Sequence, residues 1–94
     1  MNAEGRPRLA ARARLRWDQK TGQHMLLYPE RGMHLNATAQ RVVELCDGTK
    51  TVAQLLTALA AQYQAPVVAL EGEVRTFLQA LTDKGLLDWS GGAP

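Results

Sequence analysis

The sequence has 94 residues, which is enough for one domain with a single core and too few for a catalytic domain joined to a regulatory one. Hydrophobic residues make up 46% of the chain and charged residues of mixed sign 21%, a composition that excludes a disordered protein. The single cysteine, Cys46, excludes an internal disulfide. We find no export signal and no apolar run near the roughly 20 residues of a membrane span, so we expect a cytoplasmic protein without a membrane partner.

The first third of the chain has the pattern of short strands. Residues 1–11 contain Gly and Pro without periodicity, which predicts a flexible N-terminal arm. Apolar and basic residues then alternate over 12–17, with Trp17 and the other apolar side chains on the face predicted to be buried. A polar turn separates this strand from a second one at 24–28, so the two are expected to form an antiparallel hairpin.

The stretch from Tyr28 to Asn36 ends the strand region and begins the helical one. A turn containing Pro and Gly leads into Met33–Leu35, which alternate as a third short strand before the helix N-cap Asn36. Because few residues flank this strand, we predict that it lies at the edge of a small meander, with unpaired backbone groups on one side.

Three amphipathic helices follow. The first ends at Gly48, and the second covers 52–63 behind a capping box at Thr51–Gln54. The third ends at Lys84, and Gly72 inside it costs about 1 kcal/mol relative to Ala, which weakens the prediction for its first turns.

The order of three short strands and three helices predicts an α+β fold. The arrangement is winged-helix-like, with a three-stranded antiparallel sheet followed by a three-helix bundle. The predicted boundaries are a flexible arm at 1–11, a single domain at 12–89 that ends in a short packed extension, and a flexible tail at 90–94.

No group of residues has the pattern of a catalytic or metal site. His24, His34 and Cys46 lack the paired spacing of metal ligands, and Cys46 lies on the apolar stripe of the first helix, where packing is its expected role. The carboxylates Glu71 and Glu73 are two residues apart on a helix and face different ways. We therefore predict a protein that is not an enzyme and has no catalytic residue, metal or cofactor of its own.

A winged-helix DNA-binding regulator is the main alternative, because such folds place a helix in the major groove. The second helix carries no Lys or Arg, and the third carries acidic residues against only Arg75 and Lys84, so the phosphate contacts that dominate DNA affinity are missing. Residues 1–31 hold the excess positive charge, with seven basic and three acidic side chains. We therefore expect no nucleic-acid partner.

The predicted edge strand indicates a different function, the binding of a peptide. An extended peptide can add to such an edge as a further strand, with each backbone hydrogen bond contributing about 0.5 to 1.5 kcal/mol, while side chains of the third helix select the sequence. The alternative that remains open is a protected edge in an ordinary small domain.

Several short sequences together resemble one known family, the pyrroloquinoline quinone biosynthesis protein D (PqqD) family. They are Arg6-Pro7-Arg8-Leu9, Ala13-Arg14-Leu15-Arg16-Trp17-Asp18, Leu26-Leu27-Tyr28-Pro29-Glu30, Leu35-Asn36 with Thr38-Ala39, Cys46-Asp47-Gly48, Thr51-Val52 and Lys84-Gly85-Leu86-Leu87. The resemblance covers roughly residues 6–88, and its order and spacing are more specific than any single piece.

The resemblance implies a peptide chaperone that is similar in fold to the leader-recognition domains of ribosomal peptide modification systems. Such a protein binds the ribosomal precursor peptide of pyrroloquinoline quinone and presents it to a radical S-adenosylmethionine (SAM) enzyme, which links a Glu and a Tyr side chain of that peptide. The iron-sulfur chemistry then belongs to the partner enzyme, and a single cysteine agrees with this because a cluster needs several thiolates.

The resemblance also implies where the peptide lies, between the third strand and the third helix. The peptide-binding residues predicted on this basis are Gly32, Met33, His34 and Leu35 on the strand and Glu71, Val74, Arg75 and Leu78 on the helix. Two alternatives remain open, since Arg75 is also spaced to pair with Glu71 and the two apolar helix residues are also spaced to be core. The basic face of Arg12, Arg14 and Arg16 is a candidate docking surface for the enzyme, or a solvated sheet face.

Overall fold

The computed structural model describes residues 4–28 and 31–91. The elements in chain order are β1 (Arg6–Leu9), β2 (Arg14–Asp18), β3 (Gln23–Tyr28), β4 (Arg31–Leu35), α1 (Ala37–Leu45), α2 (Val52–Tyr63), α3 (Val67–Asp83) and β5 (Leu87–Ser90).

Strands β2, β3 and β4 form the predicted antiparallel meander, with β3 in the middle. In its register Leu26 stands opposite Leu15 on one side and Met33 on the other. Leu26 is fully buried, which anchors this face of the sheet against the helices. The prediction of an α+β fold with a three-stranded antiparallel sheet and three helices is therefore confirmed.

A second, two-stranded sheet joins the two ends of the chain. Strand β1 pairs antiparallel with β5, so that Arg6 stands opposite Ser90 and Leu9 opposite Leu87. Pro7 is among the fully buried side chains. Arg6–Leu9 and Ser90 thus lie in strands that the sequence did not reveal, within the predicted arm and tail, whose flexibility stays a prediction.

The sequence did not reveal these two strands because their pairing is entirely non-local. Four-residue strands at opposite ends of the chain carry too little periodicity to be recognised one at a time, and they meet only because α3 returns the chain beside β1. Residues 1–3 and 92–94, which belong to the predicted arm and tail, lie outside the described residues.

The starts of α1 and α2 follow from local capping, as predicted. The Asn36 side chain accepts a hydrogen bond of 2.8 Å from the Ala39 backbone N–H, and Thr51 and Gln54 form the reciprocal capping box. Helix α3 begins at Val67 and runs without interruption through Gly72. In the part of the chain that is described, none of the helices has the length and apolar character to cross a bilayer.

The core lies between the inner face of the meander and the three helices. Its members at 1% exposure or less are Leu26, Val42, Val52, Leu55, Leu59, Val74, Leu78, Leu81 and Leu86. These residues come from β3, from each of the three helices and from the segment just before β5, so helix packing and sheet packing form one cluster.

Trp17 departs from the predicted burial. Its side chain is 52% exposed, whereas Ala13 on the same face is buried. The Trp17 ring packs edge-on against His24, with ring centroids 5.1 Å apart. An alternating pattern shows which face a residue is on, but it does not show how far the helices cover that face.

The turn between α1 and α2 is organised by Asp47. The first helix ends at Leu45, with Cys46 as its C-cap, just before the predicted stop at Asp47-Gly48. The hydroxyl and the backbone N–H of Thr49 both donate to Asp47 Oδ1, at 2.6 and 2.9 Å. Together with the nearby Lys50 ammonium, these donors lower the pKa of Asp47 from 3.8 to about 2.

This shift predicts a loss of stability in acid. Because the pKa of Asp47 is lower in the folded chain, the unfolded chain binds more protons between pH 4 and pH 2, and the free energy of unfolding falls across that window. Asp47→Asn should be less stable than wild type above pH 4 and show a shallower decline below it. Urea denaturation followed by circular dichroism from pH 5 to pH 2 measures both slopes.

Thr49→Val provides the matched variant, since it keeps the carboxylate and removes its strongest donor. It should raise the folded-state pKa of Asp47 toward its ordinary value, so the acid-dependent decline ends at a higher pH and the total loss of stability is smaller. Equal slopes in wild type and Asp47→Asn would show that the turn does not hold this carboxylate in its charged form.

Candidate functional site

Strand β4 is an edge of the three-stranded sheet, as predicted. It pairs with β3 on one side, and no strand of the described residues pairs with its other side. In an antiparallel edge strand, alternate residues direct their N–H and C=O groups away from the sheet. These groups are available to an added strand.

The four predicted strand residues divide between the two faces of β4. Leu35 is buried in the core and Met33 packs against it, whereas Gly32 and His34 lie on the opposite, exposed face. His34 Nε2 is 3.4 Å from Asp18 Oδ2 on β2. Peptide contact by these residues stays a prediction, and it would be made mainly by their backbone.

Asp18 has three donors on the exposed face. The Lys20 backbone N–H and the Thr21 hydroxyl each donate to its carboxylate at 3.0 Å. These bonds, with a smaller contribution from His34, lower the pKa of Asp18. The Asp18 carboxylate is thus already engaged within its own sheet.

An apolar groove begins at Asn36, the residue directly after β4. It lies between the first turns of α1 and one side of α3 and has a volume of about 440 Å³. Besides Asn36, the lining residues are Thr38, Ala39 and Val42 from α1 and Gly72, Glu73, Val74, Thr76, Phe77 and Ala80 from α3. The groove therefore adjoins the C-terminal end of β4 through Asn36, the residue between β4 and α1.

Gly72 borders this groove and leaves space there. A Cβ atom built on Gly72 would have no neighbouring atom within 4 Å, so close packing does not require glycine at this position. Glycine in a helix interior nevertheless costs about 1 kcal/mol relative to Ala. The cost is explained if the space beside Gly72 is used by a ligand.

The predicted helix-side residues are not brought together in the groove. Glu71 and Arg75 form an ion pair of 2.8 Å with each other and are not among the groove-lining residues. Val74 is 1% exposed and forms part of the groove wall, whereas Leu78 is fully buried in the core. A role of these four residues in peptide contact remains a prediction.

Sequence reasoning missed most of the groove. Its other α3 members include Thr76, Phe77 and Ala80, and its α1 members include Thr38 and Ala39. Periodicity separates core from surface positions but does not show which two helices leave a gap between them. The usable signals were the costly glycine in α3 and the small residues on both helices.

The three predicted docking arginines also separate. Arg12 donates from Nη2 to the Gly85 backbone oxygen at 2.6 Å and so helps to close the C-terminal end of α3. Arg14 and Arg16 are exposed on β2, where they stand opposite Leu27 and Met25 of β3. Within residues 4–28 and 31–91, Arg12 therefore makes a side-chain hydrogen bond, whereas Arg14 and Arg16 make none.

The cysteine lies in packed surroundings, as expected. Burial, with a smaller effect of neighbouring Asp47, raises the pKa of Cys46 to about 12, so the reactive thiolate is strongly disfavoured. Among residues 4–28 and 31–91, no three His, Cys, Asp or Glu side chains are grouped to hold a metal ion.

Comparisons with known proteins identify relatives along most of the chain. A family model described as coenzyme PQQ synthesis protein D (PqqD) matches residues 23–87. A protein named PqqA binding protein from Rhodopseudomonas palustris (strain HaA2) is 34% identical, covering 93% of this chain and 85% of the relative. A bifunctional coenzyme PQQ synthesis protein C/D from Methylorubrum extorquens is 37% identical, covering 87% of this chain and 22% of that larger protein.

A solved structure shows the same architecture. It is the solution NMR structure of the PqqD truncation of Methylobacterium extorquens PqqCD, described as a functional and stand-alone recognition element for ribosomally synthesised and post-translationally modified peptides. Its TM-score with this chain is 0.75 at 36% identity, and the match covers 87% of each chain. The family match runs from the start of β3 to the start of β5, and so includes β4, α1 and α3.

Proposed function

Because the chain belongs to the PqqD family of coenzyme PQQ synthesis, we propose that it is a non-catalytic peptide chaperone of that pathway. It binds the ribosomal precursor peptide by strand addition and presents it to a radical SAM enzyme that cross-links a Glu and a Tyr of the peptide. The relatives support the peptide part of this proposal, since they are PqqA binding proteins and a peptide recognition element.

One observation carries this proposal, the continuity of a free sheet edge with an open apolar groove. The edge is β4, and the groove starts at the next residue, Asn36. Main-chain hydrogen bonds to the edge fix the register of an added strand, and a groove at its end selects a side chain. Edge and groove together have the two features that recognition of an extended peptide needs.

The expected hydrogen-bond and burial energies are large enough for micromolar peptide affinity. Four or five backbone hydrogen bonds at about 0.5 to 1.5 kcal/mol each, with one or two buried apolar side chains at about 1.5 to 3 kcal/mol each, are of the order of the roughly 8 kcal/mol of a micromolar complex. Because ordering the peptide costs part of this sum, the groove contact is needed as well as the edge.

The test is an amide chemical-shift titration of the labelled protein with the synthetic precursor peptide. We expect shifts on β4 and on the groove side of α3 from Gly72 to Phe77, saturating at roughly micromolar concentration. Single N-methyl groups placed along the peptide should weaken binding at alternate positions only, because an added strand turns alternate N–H groups toward its neighbour.

A peptide of the same composition in scrambled order is the control and should leave β4 unshifted. If the precursor peptide left β4 and the groove unshifted while duplex DNA shifted α2 with steep salt dependence, the protein would be a nucleic-acid regulator instead.

A further inference from the structure

The groove between α1 and α3 combines apolar surface with one charged group. Its apolar lining residues are Ala39, Val42, Val74, Phe77 and Ala80. Glu73 is the one charged residue among those that line the groove in the described part of the chain. A wholly apolar ligand that covered this carboxylate would take water from it and give no hydrogen bond in return. A ligand that fits the groove therefore brings a donor as well as an apolar group.

The Glu73 carboxylate is available to such a donor. Its side chain is exposed and makes no hydrogen bond or ion pair within residues 4–28 and 31–91. The nearby acid Glu71 differs, because it forms the 2.8 Å ion pair with Arg75 and is not among the groove-lining residues. Of the two carboxylates, only that of Glu73 both borders the groove and lacks a partner in the described fold.

A cationic side chain is the donor that suits this carboxylate best. Hydrogen bonds between a carboxylate and an ammonium or guanidinium group are roughly twice as strong as those between neutral groups. No Lys or Arg is among the lining residues to repel an incoming cation. A metal ion is disfavoured, because no three His, Cys, Asp or Glu side chains in the described residues are grouped to hold one.

The spacing along α3 matches that of an extended peptide. Glu73 and Phe77 are about one helical turn apart, a rise of about 6 Å. Two residues of an extended chain span about 6.6 Å and direct their side chains to the same face. A peptide that follows the groove along α3 with an apolar side chain at Phe77 therefore brings the side chain two positions away level with Glu73. In a strand added to β4, both would lie on the inner face of the sheet, where Met33 and Leu35 pack.

We propose that the groove selects an apolar side chain of the precursor peptide together with a Lys or Arg two residues from it, and that Glu73 recognises the basic side chain. This proposal rests on the proposed function, since it specifies what the peptide-binding site selects. The apolar side chain fills the space beside Gly72 and Phe77, while the ammonium or guanidinium group donates to the Glu73 carboxylate. Glu73 is thus a specificity-determining residue.

The experiment titrates the synthetic precursor peptide into wild-type protein and Glu73 variants by isothermal titration calorimetry. Glu73→Gln should weaken binding about fivefold and Glu73→Lys about 20-fold, because the first variant removes an attraction and the second adds a repulsion. Each Lys and Arg of the peptide is then replaced in turn by Glu. One of these peptides, changed two residues from an apolar side chain, should regain most of the affinity lost in Glu73→Lys.

Two controls separate recognition by Glu73 from general effects. Asp88→Lys makes the same change in net charge at an exposed position of β5 outside the groove, and it should bind the wild-type peptide normally. Glu73→Gln should unfold at the same urea concentration as wild type, because Glu and Gln have similar helix propensities and Glu73 has no partner to lose within the described residues. Added salt should weaken peptide binding more in wild type than in Glu73→Gln.

The possible results separate failure of this proposal from failure of the proposed function. Wild-type peptide affinity in Glu73→Lys would overturn the proposal, and so would a loss that no charge-reversed peptide restores. An equal loss in Asp88→Lys would also overturn it, since the effect would then come from net charge. In these cases the wild-type protein still binds the precursor, so the proposed function stands. If the wild-type protein does not bind the precursor at all, the proposed function fails and this proposal fails with it.

Discussion

Gly72→Phe is expected to weaken precursor peptide binding by about 30-fold without destabilising the protein, because the new ring occupies the groove where an apolar anchor of about 2 kcal/mol would bind. The position has open space, since a Cβ on Gly72 would meet no atom within 4 Å. Replacing a helical glycine also removes a helix-propensity cost. Loss of binding with unchanged or higher stability is a combination that damage to the fold does not produce.

Two matched variants separate filling of the groove from other effects. Gly72→Ala should raise the free energy of unfolding by about 1 kcal/mol and change peptide affinity little, because one methyl group leaves most of the groove open. Val68→Phe adds the same ring to α3 at a position that is 79% exposed and outside the groove, and should bind peptide normally. Calorimetry gives the affinities and urea denaturation the stabilities. Wild-type affinity in Gly72→Phe would show that the groove is not the anchor site.

The parts of the fold that the sequence predicts well are those with local causes. Asn36 and the Thr51–Gln54 capping box begin α1 and α2 as expected, because each cap satisfies backbone N–H groups within one turn. The sheet formed by β1 and β5 could not be predicted in this way. Its stability depends on a pairing between the two ends of the chain, and a buried Pro7 has no local signature.

The candidate site shows the same division. The edge position of β4 follows from the order of the strands and was predicted. The helix side was taken from the family resemblance, which led to Glu71 and Arg75, whereas the groove is bordered by Gly72 and Phe77 on another side of α3. That difference depends on how α1 packs on α3, which is a tertiary property. An unfavourable residue such as Gly72 is the kind of local conflict that accompanies a functional surface.

Leu78→Ala is expected to lower the free energy of unfolding by about 3 kcal/mol, because it deletes most of a side chain that is fully buried between α3 and the rest of the core. A side chain with no exposed surface can contact a peptide on the outside of the fold only if the packing around it opens. Peptide affinity per folded molecule should therefore stay within about threefold of wild type. Urea denaturation gives the stability, and a peptide titration corrected for the folded fraction gives the affinity.

The volume-conserving variant Leu78→Met tests the same position if Leu78→Ala does not fold. It should lower the free energy of unfolding by less than about 1.5 kcal/mol. Gln79→Ala, at the exposed neighbouring position, should change stability by no more than about 0.5 kcal/mol. A tenfold loss of peptide affinity in fully folded Leu78→Met, with Gln79→Ala unaffected, would mean that the peptide opens the interface of α3 and reaches Leu78. In that case the position predicted from family resemblance would be a ligand contact, and the groove beside Gly72 would be only the closed form of a larger site.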